Sequence, residues 1–333
     1  MKLSQFDFQY PKELIAQYPL KKGEARLLVA DRRTKELHHT SFFHVLDFLS
    51  SDDCLVVNET QVIPARLFAR KETGAYVEVL LLEELRKNVW KCTGSTSKNL
   101  KAGSKLIFQE GNATILEVNH GIFVLEFFYE GEWKEWLYKY GHVPLPLYIG
   151  RKDQKEDVEN YQTVFAKNPG AIAAPTAGLH WTDELLACFK KKGGIIAPIT
   201  LHVGYGTFSP IREENIKNHQ MHREFFEISP ESSQKINEAK RVVCVGTTTV
   251  RALESATQGK KVLASSRWTD LYIYPGYSFK RVDLLQTNFH QPKSSLLLMV
   301  SAFAGCEFIS RCYQEAIEQR YRLFSYGDTL LLL

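Results

Sequence analysis

The sequence predicts a multi-domain α/β protein: a mixed α/β main domain, residues 1–63 and 150–333, interrupted by an inserted all-β, barrel-like domain at 64–149. Three observations point there. Strand, helix and strand patterns alternate through the second half of the chain. A train of short strands with turn residues between them follows Pro64. The first sixty residues are mixed again, so the β segment reads as an insertion. At 333 residues the chain also exceeds the size at which one core usually stops growing.

Taken in order, Arg26 to Asp31 and Leu37 to His39 read as a strand pair about the turn Arg32-Arg33-Thr34-Lys35. The apolar run CLVVN, Cys54 to Asn58, reads as a buried strand. AYVEVLLLE (75–83), NVWKCT (88–93), SKLIFQ (104–109), ATILEV (113–118) and IFVLEFFYE (122–130) then follow at short spacing, most of them separated by glycine or asparagine turns. Each can bury one face and must close against the others. Pro144 and Pro146 restrict the backbone and mark an exit linker. Further on, Thr182 is placed to cap a helix that has Asp183 and Glu184 in its first turn and Lys190, Lys191 and Lys192 at its end. Ser229-Pro230-Glu231 opens another helix with proline at its first position. RVVCVG (241–246) runs as a strand into Thr247-Thr248-Thr249 and a helix. Ile309, Tyr313, Ile317 and Tyr321 recur every four residues, the stripe of an amphipathic helix.

Composition narrows the classes. A formal charge of +4 permits a polyanionic partner without requiring one. Six scattered cysteines, with no C-x-x-C pair, fit reduced thiols better than a disulfide framework. The stretch MKLSQFDFQYPKEL lacks the apolar core of a signal peptide, and no uninterrupted apolar run approaches the ~20 residues of a membrane span. The expectation is a cytoplasmic protein with no membrane contact, acting as a monomer. Internal repeats and low-complexity segments are not evident.

Five stretches carry candidate chemistry. GAIAAPTAGLHWT (170–182) strips away side chains around Pro175, letting backbone approach a ligand or another backbone closely, and ends in His180. The helix beginning after Thr182 would disfavour an imidazolium and keep that ring able to accept a proton. Tight packing with a carbonyl-bonded histidine explains the same residues. ITLHVGYGTFSPI (199–211) places His202 before Gly204 and Gly206, where a turn explains the glycines as well as a nucleotide does. VGTTTVRALES sets three hydroxyls at a strand-to-helix junction, where free amides favour a carboxylate or phosphate, with Arg251 one turn on. DLLQTNFHQPKSS (283–295) is more polar and varied than a connector needs. NHQMHREFFE (218–227) spaces His219 and His222 by three without completing a metal-ligand set.

Together these stretches resemble the S-adenosylmethionine:tRNA ribosyltransferase-isomerase family of queuosine biosynthesis. FDFQYPKELIAQYP, LVVNETQVIPARLFARK, VEVLLLE, GHVPLPLYI, YQTVFAKNPGAIAAPTAGLHW, ITLHVGYGTFSPI, HQMHREFFEI, VGTTTVRALES, LLQTNFHQPKSSLLLMVSAFAG and YRLFSYGD carry the likeness from residue 6 to residue 328. PTAGLHW, LHVGYGTF and TNFHQPKS in that order are the specific part. Two departures stand out. Gly23, Glu24 and Ala25 precede Arg26 where the family has an Arg-x-x-Ser-Arg pattern, and Leu147 replaces a common proline.

The resemblance implies an α/β domain joined to a smaller β-barrel. It also implies transfer and isomerisation of the ribosyl group of S-adenosylmethionine onto 7-aminomethyl-7-deazaguanine at the wobble position of tRNA with a GUN anticodon. The product is epoxyqueuosine, with adenine and methionine released and no cofactor beyond S-adenosylmethionine as co-substrate. For this chain it implies His180 or His202 as acid or base, and Thr176, Gly178, Gly204 and Gly206 around the substrate. Thr247, Thr248, Thr249 and Arg251 would take the methionine carboxylate. Arg26, Arg66, Asn288, His290 and Lys293 would meet tRNA or its modified base. Two other classes stay open on the residues alone: a non-catalytic tRNA-binding module, and a metal-dependent hydrolase using His202, His219 and His222.

Overall fold

The strand Asp53–Asn58 is buried along its whole length and holds Cys54, Leu55, Val56 and Val57 in a row, the pattern of a strand covered on both faces. In the computed structural model, which describes residues 1–95, 100–204 and 211–333, it belongs to a nine-stranded sheet. In spatial order the strands are Ser265–Thr269, Glu224–Ile228, Ile195–Leu201, Asp53–Asn58, Arg241–Val245, Leu284–Asn288, Thr329–Leu332, Arg26–Ala30 and Leu37–Ser41. The four from Ile195–Leu201 to Leu284–Asn288 run parallel. Their carboxyl ends, Leu201, Asn58, Val245 and Asn288, therefore lie along one edge, the position where open α/β sheets bind ligands. Thr329–Leu332 returns antiparallel, setting Thr329 opposite Asn288.

This sheet is the frame of one compact unit, Met1–Gln61, Leu147–Arg151 and Asn160–Leu333. Its core packs Phe42, Trp181 and Phe189 against Leu55, Val57, Val243, Val245 and Leu331. Local signals place its helices. Thr182 caps Asp183–Lys191 by accepting from the Leu185 amide at 3.2 Å, and Ser229 caps Pro230–Glu238 through Ser232 at 3.1 Å. The helix Cys306–Glu318 buries Ile309 and Tyr313 but ends before Tyr321, because Arg320 turns the chain with a φ of 53°. Gly305, at φ 95°, separates it from the buried helix Ser295–Ala304. Among the described residues no single helix is long and apolar enough to cross a membrane.

The second unit, Val62–Pro146 with Lys152–Glu159, is a closed six-stranded barrel in the order Ile122–Phe128, Val89–Gly94, Tyr76–Arg86, Arg66–Lys71, Lys105–Ile107, Asn112–Asn119. Alternation fills it: Val77, Val79 and Leu81 point inward from one strand, and Phe123, Leu125 and Phe127 from another. The helix Trp133–Tyr140 sets Trp136 against Phe108, ring centres 5.7 Å apart. Lys152–Glu159, beyond the boundary read at 149, joins this unit because the Asp153 carboxylate takes the Val143 amide and His142 Nδ1, each at 3.1 Å.

Candidate active site

At the carboxyl edge of the parallel strands a cavity of about 60 Å³ opens between three segments. Ala174 to Ala177 form one wall, Gly246 to Thr248 a second, and Thr287 to His290 a third. Two buried amides assemble it. Gln286 donates to the Ala177 carbonyl at 3.2 Å and to the Thr329 hydroxyl at 2.6 Å, and accepts from the Trp181 indole at 3.3 Å. Its backbone carbonyl takes the Gly246 amide at 2.8 Å. Asn58 ties the neighbouring strand ends, donating to the Leu201 carbonyl and accepting from the Leu201 amide, both at 2.9 Å. Each side chain satisfies several buried groups, so the walls are held rigidly.

Asn288 lies at the centre of the third wall. Its carbonyl accepts from the Thr176 hydroxyl at 2.9 Å, and its amino group faces His180 Nε2 at 3.3 Å. In that arrangement Nε2 is the unprotonated nitrogen of a neutral ring. Burial pulls the His180 pKa down to about 4, and the Arg322 charge pushes the same way. The expected direction of shift is present, and its causes are desolvation and Arg322. A ring of that pKa is neutral at pH 7, so at rest it accepts a proton and does not donate one. His290 is pulled down to about 3 by burial alone, with Nε2 at 2.9 Å from the Thr287 hydroxyl and its backbone amide on the Tyr313 hydroxyl.

The second wall is the start of helix Thr247–Ala256. Gly246 precedes it at φ 91°, a conformation a side chain resists, and no side chain caps the helix. Thr247 and Thr248 line the cavity at this positive helix end, which suits an anion. Thr249 turns inward and bonds the Val245 carbonyl at 2.7 Å.

Several expected residues lie elsewhere. Arg251 does not line the cavity: its guanidinium pairs with buried Glu224 and reaches the Leu271 and His222 carbonyls. Glu224 in turn accepts the Gly204 amide at 2.9 Å. Gly178 serves packing, since a Cβ there would meet Phe165 at 2.6 Å. His202 is not in the cavity lining, unlike its neighbour Val203; it bonds the Thr60 hydroxyl at 2.8 Å and packs on Gly170, where a Cβ would strike the ring at 2.8 Å. Burial lowers its pKa as well. Lys293 pairs with Asp7 at 2.6 Å. Arg26 is held by Asp328 and two carbonyls over the Tyr321 ring, and Arg66 by the Leu145 carbonyl and Glu78 within the barrel. Gly206 lies outside the described residues. Among the described residues no group of three His, Cys, Asp or Glu side chains could hold a metal ion.

The sequence profile described as "Queuosine biosynthesis protein" matches residues 3–332, nearly the whole chain. The chain belongs to the queuosine biosynthesis family. A curated relative in Halothermothrix orenii, named S-adenosylmethionine:tRNA ribosyltransferase-isomerase, is 45% identical, with 100% of each chain covered. A crystal structure of S-adenosylmethionine tRNA ribosyltransferase from Thermotoga maritima is similar with a TM-score of 0.56 at 35% identity, covering 99% of this chain and 100% of that one. In this queuosine biosynthesis protein, sequence reasoning passed over Asn58 and Gln286. Their signal was an amide at or near the end of an apolar strand, a group that burial obliges to find partners.

Proposed function

We propose that this protein transfers and isomerises the ribosyl group of S-adenosylmethionine onto 7-aminomethyl-7-deazaguanine at the wobble position of tRNA, giving epoxyqueuosine, adenine and methionine. The observation that carries this is the full-length likeness to the ribosyltransferase-isomerase at 45% identity. The cavity at the sheet edge agrees in its chemistry. S-adenosylmethionine enters as co-substrate, and the reaction as drawn calls on no other cofactor.

The sulfonium acidifies the adjacent C5′ protons, so a neutral base removes one. The ribose then opens with loss of adenine, the tRNA amine adds to the opened carbon chain, and closure of the epoxide breaks the C5′–S bond with methionine as the leaving group. Neutral His180 is the proposed acceptor at Nε2, once substrate displaces the Asn288 amide from it. A sulfonium close by keeps the ring unprotonated before the step. The proton taken up by His180 is then available to the departing adenine. The amides and hydroxyls of Thr247 and Thr248 receive the methionine carboxylate at the uncapped helix end. Thr176, Asn288 and His290 border the place where the modified base would enter. The base is turned out of the anticodon loop, since its amine must reach a small-molecule carbon.

The tRNA is read as one with a GUN anticodon, and the protein as a cytoplasmic monomer. Six free cysteines, four of them buried, suit a reducing compartment. Adenine release from S-adenosylmethionine, measured with and without tRNA carrying 7-aminomethyl-7-deazaguanine, tests the proposal. Adenine together with a nucleoside of epoxyqueuosine mass, appearing only with the modified tRNA, is the expected result. Tight tRNA binding with neither product would sink it.

A further inference from the structure

His180 is not in the lining of the sheet-edge cavity and meets it through Asn288; it lines a second, smaller cavity with Leu20, Lys21, Lys22, Leu179 and Ser325. Ser325 lines both cavities. The outer rim of the second is cationic. Lys21 is exposed, and the Lys22 ammonium lies 3.4 Å from the Gln162 carbonyl. Behind this rim Arg322 donates from Nη2 to the Tyr18 carbonyl and adds its positive charge to the field of the two lysines. Asp328, the acid that faces Arg322, is occupied by the backbone amides of Arg26 and Arg322 and by the Arg26 guanidinium. Beside these cations the Tyr18 ring is half exposed, with the Arg151 guanidinium 4.3 Å from its centre, and Leu20 is exposed too.

Cations interleaved with an exposed aromatic ring are the composition of a single-stranded nucleic-acid surface: the cations track phosphates and the ring takes an unstacked base. A peptide or lipid headgroup would use the charges but leave the ring without a task.

We propose that Tyr18, Lys21 and Lys22 form the surface on which the anticodon-loop backbone of the RNA substrate docks. Lys21 and Lys22 meet phosphates there, and Tyr18 stacks a base neighbouring the one turned towards His180. The inference rests on the tRNA reading above and adds where on this chain the strand lies. It separates RNA contacts on this rim from S-adenosylmethionine contacts at Gly246 to Thr248.

The test uses the full-length protein with the double variant Lys21→Ala/Lys22→Ala, and separately Tyr18→Ala and Tyr18→Phe. KM for the modified tRNA is measured across a salt series, and the Kd of S-adenosylmethionine by calorimetry. Loss of two phosphate contacts should raise the tRNA KM about tenfold and flatten the slope of log KM against log salt by about 1 to 2. Tyr18→Ala should raise that KM about tenfold, and Tyr18→Phe should restore it. The Kd of S-adenosylmethionine should stay within about twofold of the parent value in all of them, a pattern that general unfolding does not produce. An unchanged tRNA KM and salt slope in the lysine variant, with the parent enzyme turning over, would overturn this surface alone. A parent protein that releases no adenine with modified tRNA would overturn the activity, and this surface with it.

Discussion

The Asn288 amide faces Nε2 of His180 at 3.3 Å while its carbonyl takes the hydroxyl of Thr176. One side chain thereby sets the tautomer of the buried histidine and ties it to the wall of small residues that precedes it. The arrangement makes the cavity sensitive to the charge placed at position 288.

Asn288→Asp should therefore change the pH profile more than the fold. A carboxylate beside Nε2 favours the imidazolium and raises the His180 pKa from about 4 towards neutrality. Activity of the variant should fall with acidification on a limb near pH 6 to 7, as expected for an essential base of that pKa. Asn288→Ala should lower kcat about ten- to a hundredfold without adding such a limb. The log kcat/KM profile of each variant, with saturating tRNA, decides; an unshifted profile in Asn288→Asp would remove His180 from the proton step.

Acid should destabilise the protein through two histidines. His180 and His290 have native pKa values of about 4 and about 3, below the ~6.5 of an unfolded chain. The unfolded state binds more protons below ~6.5, so the stability is complete above that pH and is lost progressively as pH falls towards the native values. Each histidine should take away about 2 kcal/mol between pH 7 and pH 5. Urea unfolding at the two pH values measures the sum, and His290→Gln should remove about half of the difference.

Gly246→Ala should be costly in two ways. A φ of 91° strains any side chain, while the new Cβ would make only an ordinary contact with Ala177 at 3.5 Å, so the stability cost is that of the backbone. A loss of about 1 to 2 kcal/mol is expected in chemical unfolding. Because the helix start forms a cavity wall, the KM for S-adenosylmethionine should rise as well. A stability loss with that KM unchanged would move the carboxylate away from Thr247 and Thr248.

The buried pair Arg251 and Glu224 should behave as a unit. Glu224→Ala leaves a guanidinium without its counter-ion and should cost about 3 to 5 kcal/mol. Arg251→Met/Glu224→Leu, which removes both charges, should recover most of that loss. Thermal and urea unfolding of the single and double variants test the coupling. Equal loss in the double and single variants would show that the pair's worth lies in the carbonyls and the Gly204 amide it holds.

Much of the architecture could be read before any coordinates, because its signals are local. Thr182 and Ser229 cap their helices through neighbours three residues away, and the barrel strands alternate inward and outward at every second residue. The apolar run at Cys54 declares a strand covered on both faces. Tyr321 marks the limit of such reading: the stripe continues past Glu318 in sequence, and a left-handed Arg320 ends the helix anyway.

The candidate site divides along the same line. The small residues of 170–182 and the junction after Val245 were visible as unusual segments, and the structure brings Thr176, Thr247, Thr248, Asn288 and His290 to one cavity. It also sends Arg251 to Glu224, Lys293 to Asp7, and His202 to Thr60, partners at least 27 residues away in sequence. By itself, then, the sequence determined the family, the element types, and which segments are chemically unusual, since caps, periodicity and motifs act over a few neighbours. Only the tertiary structure decided which of those polar side chains face the cavity and which are consumed by distant partners, because that depends on the face each strand and helix buries and on the desolvated charges that must be neutralised across the sheet.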